Sequence, residues 1–139
     1  MNTTLTQAAI DEPLIERLVH RFYEKARADK RLGPVFDSKV DDWDHHLAQM
    51  CRFWSSVMQM SGTYHGNPMP KHMVLPIDAA HFDRWLALFE ETALEVCPPD
   101  AAQAFIERSR RIAQSLELGV ALHAGARLRV GERFRRPAA

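Results

Sequence analysis

The chain has few of the features that mark secreted, membrane-spanning or disulfide-stabilised proteins. Its two cysteines, Cys51 and Cys97, lie far apart and show no metal-ligand spacing. They predict two reduced, mostly buried thiols in a cytoplasm rather than a disulfide framework. No apolar run approaches the roughly 20 residues that a membrane span needs, and no basic region followed by an apolar run opens the chain. We therefore expect a cytoplasmic protein with neither a membrane span nor a secretory signal.

The sequence also lacks an excess of either charge, since its 139 residues include 18 basic and 18 acidic side chains. Without a net positive charge, the chain as a whole is not expected to bind nucleic acid. Residues 1–122 carry 13 basic and 17 acidic groups, whereas residues 123–139 carry five arginines and one glutamate. The length fits one domain with a real hydrophobic core. The uneven distribution of charge predicts an acidic body followed by a basic tail.

Paired segments of β-branched residues with alternating polarity are absent as well, which argues against a sheet. Apolar residues recur instead at spacings of three and four residues, in segments separated by proline and glycine. The sequence therefore predicts an all-α fold, with Phe36 in a loop and only one or two helical turns around His72. The four longer helices are expected at about 11–28, 40–60, 78–96 and 100–118.

Three polar rings fall on the apolar faces of three different predicted helices. Tyr23 belongs to the first helix, His46 to the second and Trp85 to the third. The helical period places His46 on the apolar stripe and the adjacent His45 on the polar side. A phenol, an imidazole and an indole N–H need hydrogen-bond partners when they are buried. These rings therefore indicate a polar corner in an apolar cleft.

A further imidazole, His72, lies on a short segment between Pro70 and Pro76, where the backbone has little freedom. An imidazole that faces a polar corner across an aromatic-lined slot is what haem needs, because one neutral nitrogen binds the iron and apolar walls enclose the porphyrin. Most of the available rings would also suit an ordinary core. The aromatic residues on converging helical faces are Phe36, Trp43, Phe53, Trp54, Phe82, Trp85 and Phe89.

Six segments share one pattern in order, spacing and residue type. They are RFYEK at 21–25, LGPVF at 32–36, WDHH at 43–46, FWSS at 53–56, YHGNPM at 64–69 with His72, and FDRWLALF at 82–89. Together they resemble the group III truncated haemoglobins, small globins that pack helices two over two around haem. The resemblance runs from about Leu14 to Leu118, and the Gly-Gly turns of other truncated globin groups are absent here, as in group III.

The resemblance implies a role for particular residues around haem b (iron protoporphyrin IX). His72 would be the proximal iron ligand and would be the metal-binding residue of the chain. The distal polar set would be Tyr23, His46 and Trp85, and Phe36 would pack on the porphyrin. Three roles stay open for His46, which could donate to the ligand, act as a swinging gate or bind the iron itself. Further residues expected at the cofactor are Phe53, Trp54, Tyr64, Lys71, Leu75, Phe82 and Phe89.

Two details of that site are left to physical reasoning. The haem propionates need cations or hydroxyls, for which Lys71, Tyr64 and Arg52 are candidates, although each is equally explained as solvated surface. The second nitrogen of His72 needs a hydrogen-bond acceptor. Because no carboxylate is clearly placed for this, we expect a backbone carbonyl, which argues against a strongly electron-pushing peroxidase site.

Three functions remain open at this point. The first is the binding and transport of a diatomic ligand, chiefly O₂, with NO and CO as further ligands; no catalytic residue is assigned. The second is a haem-dependent redox enzyme that reduces peroxide or removes nitric oxide, with electrons from an unidentified reductase. The third is a metal-binding helical bundle built on Asp42, His45, His65 and His81, although only one of the required pairs is present.

The resemblance leaves the carboxyl-terminal residues without a role. We expect a truncated globin domain over residues 1–122, with Gly119 as the stop of the last helix, and a basic, flexible tail over residues 123–139. The tail would be a solubilising end or, as the weaker alternative, a contact for nucleic acid or an anionic membrane.

Overall fold

The structure, a computed structural model, describes residues 10–137 and confirms the all-α prediction. Within this range the chain has six α-helices and no strand. They are α1 (Glu12–Ala28), α2 (Gly33–Lys39), α3 (Trp43–Gln59), α4 (Pro68–Met73), α5 (Ala79–Val96) and α6 (Pro99–His123). In the described part of the chain, no helix has both the length and the apolar character needed to cross a membrane.

The carboxylate of Asp29 links the end of α1 to α2 and α5. It accepts a hydrogen bond from the Leu32 backbone N–H at 3.0 Å and pairs with the Arg84 guanidinium at 2.6 Å. Gly33 then begins α2, where a Cβ atom would lie 2.6 Å from the Arg27 carbonyl oxygen. Glycine at this position therefore lets α2 pack directly against the end of α1.

The sequence predicts a loop around Phe36, but the structure places this residue within α2. The Phe36 N–H donates to the Leu32 carbonyl at 3.1 Å, and its carbonyl accepts from Val40 at 2.8 Å. The prediction was wrong because Gly33 and Pro34 resemble a turn, whereas proline is also tolerated in the first turn of a helix.

Buried apolar side chains form two separate clusters. The first cluster joins α1, α3, α5 and the start of α6, and its large buried rings are Phe22, Tyr23, Trp54, Phe89 and Phe105. The second cluster joins the start of α5, the later half of α6 and the chain that follows. Its buried members are Ile77, Phe82, Ala113, Val120, Ala121 and Phe134.

The last helix, α6, continues to His123, beyond the predicted end at Leu118. Gly119, predicted to stop this helix, lies inside it and is buried. A Cβ atom at this position would clash with the Sδ of Met69 on α4. The glycine therefore permits close packing of α4 on α6, and it does not end the helix.

The chain after α6 packs back onto the helices, although the sequence predicts a flexible tail from residue 123. Residues 124–137, which we call the C-terminal strap, turn at Gly125 and Gly131, both of which have positive φ. Phe134 is 6% exposed in the second cluster, and its carbonyl accepts a hydrogen bond from the Ala79 N–H at 2.7 Å. Burial of this ring stabilises the packed arrangement, by about 1.5–3 kcal/mol for a side chain of this size.

Candidate haem site

Tyr23 and His46, two of the polar rings that the sequence singles out, are in direct contact. Their ring centroids are 5.1 Å apart and the rings are nearly perpendicular, at 88°. Phe36 and Trp43 pack beside them, with centroids 5.4 Å and 5.8 Å from the Tyr23 ring. Rings from α1, α2 and α3 therefore hold the His46 imidazole in an apolar surrounding.

Trp85, the third of these polar rings, lies one ring further away. Phe22 stands between the two, with its centroid 5.0 Å from that of Tyr23 and 5.4 Å from that of Trp85. Phe22 belongs to the RFYEK segment at 21–25, but nothing in the sequence indicated this bridging role. The three polar rings are joined in one aromatic group, in which Phe22 connects Tyr23 to Trp85.

Trp85 begins a column of stacked rings. It lies 5.1 Å from Phe89 with an interplanar angle of 5°, and Phe89 lies 5.0 Å from Trp54 at 16°. Phe89 is 1% exposed and Trp54 is 5% exposed, so both are core residues of the first cluster. Aromatic contacts of this kind add to the apolar burial. The structure thus places these two predicted cofactor residues where they fix the Trp85 ring.

His72, on α4, makes a hydrogen bond that determines which ring nitrogen carries the proton. Its Nδ1 lies 2.7 Å from the Pro68 backbone carbonyl oxygen. A carbonyl can only accept, so Nδ1 donates and a neutral ring leaves Nε2 with a free lone pair. Burial lowers the pKa of His72 and outweighs the Pro68 hydrogen bond, which raises it; the Lys71 charge lowers it further. The expected backbone carbonyl partner is confirmed.

His46 has a buried ring nitrogen without a partner. Among residues 10–137, its Nε2 is the buried side-chain polar atom that lacks a hydrogen bond. Burial lowers the pKa of His46, and the charges of His72, Lys71 and His45 lower it further.

These imidazoles fit the requirements of haem. An unpaired buried nitrogen is unfavourable in the free protein, and so His46 indicates that a ligand belongs beside it. Neutral His72 offers the free Nε2 that iron binds. The residues present therefore match the donor set of a haem site, with an aromatic surrounding on the His46 side.

The short helix that carries His72 is held at both ends and along its length. Asn67 begins α4, because its Oδ1 accepts a hydrogen bond from the Met69 N–H at 3.1 Å. The Met69 side chain lies against Gly119 of α6. Beyond the helix, the Leu75 N–H donates to the His72 carbonyl at 3.0 Å. These contacts fix the backbone on both sides of the imidazole.

Two predicted cofactor residues belong to the second cluster instead of the first. Phe82 is a buried member of that cluster, at 6% exposed, and the half-buried Leu75 packs against the same cluster. Leu75 closely follows α4, so the second cluster lies on the side of the molecule that carries His72. The predicted apolar residues are thus divided between the two clusters.

Phe53 and Tyr64 form an aromatic pair between α3 and the segment that leads to α4. Their centroids are 5.3 Å apart. A Cβ atom at Gly66 would lie 2.5 Å from the Tyr64 hydroxyl, so the glycine allows this ring to lie over the backbone. Lys71 and Arg52 are exposed. The groups predicted to meet the propionates therefore lie at or near the surface.

The alternative of a non-haem metal site gains no support from the structure. In the described part of the chain, no three His, Cys, Asp or Glu side chains come together. His81 instead belongs to the cap of α5, where its Nδ1 accepts a hydrogen bond from the Asp78 N–H at 3.2 Å. Asp42 likewise caps α3 by accepting a hydrogen bond from the His45 N–H at 3.1 Å.

A groove of about 600 Å³ lies along α1, and neither His46 nor His72 lines it. Tyr23 is the one predicted site residue in its wall, which is otherwise mostly charged. Arg27 in this wall lies 4.1 Å from the centroid of the Trp43 ring. This cation–π contact, which sequence spacing does not predict, helps to fix the Trp43 ring beside His46.

Comparison with known proteins defines the class to which this fold and site belong. The bacterial-like globin family matches residues 9–116. The crystal structure of the group III truncated hemoglobin from Campylobacter jejuni superimposes with a TM-score of 0.73 at 34% identity, over 78% of this chain and 89% of that one. The class is therefore a small globin with the truncated fold, as the sequence predicts.

Two curated relatives specify the type of globin further. The group 3 truncated hemoglobin ctb of Campylobacter jejuni is 34% identical over 113 residues, which cover 78% of this chain and 89% of the relative. The group 2 truncated hemoglobin YjbI of Bacillus subtilis is 28% identical over 85 residues, covering 60% and 64%. The chain belongs to the bacterial-like globins, as a group III truncated haemoglobin. Family membership implies that it binds haem.

Proposed function

We propose that this chain binds haem b through His72 and holds a diatomic ligand, chiefly O₂, beside Tyr23, His46 and Trp85. The observation that carries the proposal is the pair of imidazoles. His72 donates from Nδ1 to Pro68 and so keeps Nε2 free, while the buried Nε2 of His46 has no partner among residues 10–137. When bound, the haem supplies an iron that binds small ligands reversibly.

The proximal hydrogen bond favours ligand binding over peroxidase chemistry. The acceptor for His72 is a neutral carbonyl, which makes the imidazole less basic than a carboxylate partner would. The aromatic and aliphatic residues proposed to enclose the porphyrin are Phe36, Phe53, Leu75 and Phe82, with Trp54 and Phe89 behind Trp85. Tyr64, Lys71 and Arg52 are proposed for the propionates.

The distal side chains act as hydrogen-bond donors to the bound ligand. Burial raises the pKa of Tyr23, with a smaller contribution from Cys51, so its hydroxyl keeps its proton at physiological pH. The perpendicular contact with His46 and the neighbouring rings restrict where that hydroxyl points. Donors held in this position would hydrogen-bond a ligand that bears partial negative charge, such as O₂, and would slow its release.

A redox function is the second candidate, favoured by the state of His46. Its pKa is lowered chiefly by burial, so the ring is neutral and can accept a proton and return it. Reduction of peroxide or removal of nitric oxide would use such a group, with electrons from an external reductase.

We place the protein in the cytoplasm, where Cys51 and Cys97, both free thiols, would stay reduced.

Absorption spectra of three proteins test the proximal assignment. The wild type should show a Soret band that shifts on addition of CO to the ferrous form. His72→Ala should lose haem during purification or show an altered ferrous spectrum, whereas His45→Ala, at the exposed neighbour of His46, should match the wild type. If His72→Ala keeps the wild-type spectra and haem affinity, the assignment is wrong.

A further inference from the structure

The C-terminal strap lies outside the part of the chain that the globin family matches, which ends at residue 116. It is nevertheless anchored to the helices. Ala126 and Leu128 face the second cluster and Arg127 between them is exposed. A turn then reverses the chain, in which the Glu132 N–H donates to the Arg129 carbonyl at 3.0 Å. The strap therefore follows a defined path back towards α5.

A buried carboxylate holds the strap to α6. Glu117 is 7% exposed, and Arg133 donates to both of its oxygens at 2.8–3.1 Å. The Phe134 N–H donates to the same carboxylate at 3.0 Å. Arg133 also pairs with Asp83 of α5 at 2.8 Å. This anchor lies directly before the residues that reach the connection between α4 and α5.

Arg136 makes three hydrogen bonds to that connection. Its guanidinium donates to the carbonyl oxygens of Leu75 at 3.1 Å and Ile77 at 3.0 Å. Its backbone N–H donates to the Asp78 carboxylate at 2.9 Å. The guanidinium also lies 5.1 Å from the centroid of the Phe134 ring, which restricts its orientation. Arg136 thus holds the segment that leaves α4.

A single residue, Leu75, links this contact to the proximal histidine. Leu75, whose carbonyl accepts from Arg136, donates its own N–H to the His72 carbonyl at 3.0 Å. The backbone of His72 is therefore fixed from one side by α4 and from the other by Leu75, whose carbonyl Arg136 holds. A ligand imidazole keeps its orientation only when such outer contacts are rigid.

We propose that Arg136 is a positioning residue for the proximal ligand, and that the C-terminal strap holds α4 and the segment after it in place. The inference rests on the proposed role of His72. It assigns a function to residues for which the family pattern has none. The strap acts through backbone geometry, so its effect should be seen in the iron–histidine bond and in haem retention.

The test compares wild type, Arg136→Ala, Arg136→Lys and Arg135→Ala as complete chains with haem bound. Arg135 is exposed on the same strap, so its substitution controls for lost charge. Two quantities are measured: the iron–histidine stretching band of the ferrous protein by resonance Raman, and the rate of haem transfer to an apoglobin scavenger. Circular dichroism establishes that each variant is folded.

Arg136→Ala should shift or broaden the iron–histidine band and release haem about 10-fold faster. This factor is the low end of the range of effects seen when an outer contact to a metal ligand is removed. Arg136→Lys should recover part of both effects, and Arg135→Ala should match the wild type. An Arg136→Ala protein with the wild-type band and release rate overturns the proposal, as does an equal effect of Arg135→Ala.

A His72→Ala variant separates this inference from the function on which it rests. Loss of the iron–histidine band in His72→Ala, with an unchanged Arg136→Ala protein, rejects only the role of the strap. Persistence of the band in His72→Ala rejects the proximal assignment and the positioning role together.

Discussion

Met69 of α4 lies against Gly119 of α6 so closely that a Cβ atom at residue 119 would overlap its Sδ. The contact matters because α4 is only six residues long and carries His72. So short a helix has little stability of its own. Its position therefore depends on the helices and loops against which it packs.

Replacement of Gly119 by alanine should affect haem retention more than it affects stability. Alanine stabilises a helix interior by about 1 kcal/mol relative to glycine. At residue 119, however, its methyl group would displace the flexible Met69 side chain and with it α4. We expect an unchanged or slightly higher free energy of unfolding of the apoprotein, together with faster haem loss. Urea unfolding and haem transfer to an apoglobin measure the two effects.

The double variant Gly119→Ala/Met69→Ala is the matched control, because it removes the side chain with which the new methyl group collides. Haem retention should recover partly in the double variant. Leu122→Ala, at a position 52% exposed on the same helix, should leave retention unchanged. Equal haem loss from Gly119→Ala and Leu122→Ala would contradict the packing role of Gly119.

The helices could be predicted, and the polar residues of the candidate site could be singled out, because each leaves a local signal. Tyr23 and His46 are polar rings on stripes that are otherwise apolar, and His72 lies between prolines. Phe36 shows where local signals are ambiguous, since the Gly33–Pro34 pair suits both a turn and a helix start. Only the packing of α2 against α1 distinguishes the two.

The strap could not be predicted, because its anchors are distant in sequence. Arg133 meets Glu117 and Asp83, and Arg136 meets Leu75. These partners are not apparent in the sequence, where a run of arginines resembles a solvated tail. The single apolar residue among them, Phe134, was the available signal, and its burial depends on a cavity formed by other elements.

Removal of Arg133 should destabilise the fold, because it leaves the buried Glu117 carboxylate without its partner. Arg133 is itself partly exposed, so we expect a loss of about 2–3 kcal/mol in the free energy of unfolding, below the range for fully buried pairs. Glu117→Gln in the same chain should recover part of the loss. Arg110→Ala, which breaks an exposed pair with Glu90 at 2.8 Å, should cost less than about 1 kcal/mol. Similar losses from both arginine variants would refute this account.

The contacts of Asp78 should make the strap sensitive to acid. Burial acts to raise the pKa of Asp78, but hydrogen bonds from the backbone N–H groups of Arg136 and Ala80 lower it below its ordinary value. A carboxyl group with a lowered folded pKa stabilises the fold above its unfolded pKa of about 4, and this stabilisation is lost as the pH falls through the folded pKa. The free energy of unfolding should therefore fall below about pH 5. Urea unfolding at several pH values tests this, because Asp78→Asn should weaken the dependence of stability on pH. Asp41→Asn, at an exposed position, should leave that dependence unchanged. An unchanged profile in Asp78→Asn would count against the prediction.

Replacement of Tyr23 by phenylalanine should speed the release of O₂ and leave the fold intact. The ring contacts with Phe22, Phe36 and His46 involve the aromatic face and edge, which phenylalanine keeps. The lost hydroxyl removes a donor to a partially charged ligand, worth about 1.5–3 kcal/mol, so release should become about 10- to 100-fold faster. Release of CO, which carries less charge, should change much less. Stopped-flow measurements with His45→Ala as the control separate the cases, because His45 is exposed. If Tyr23→Phe releases O₂ at the same rate as His45→Ala and the wild type, then the Tyr23 hydroxyl does not meet the ligand.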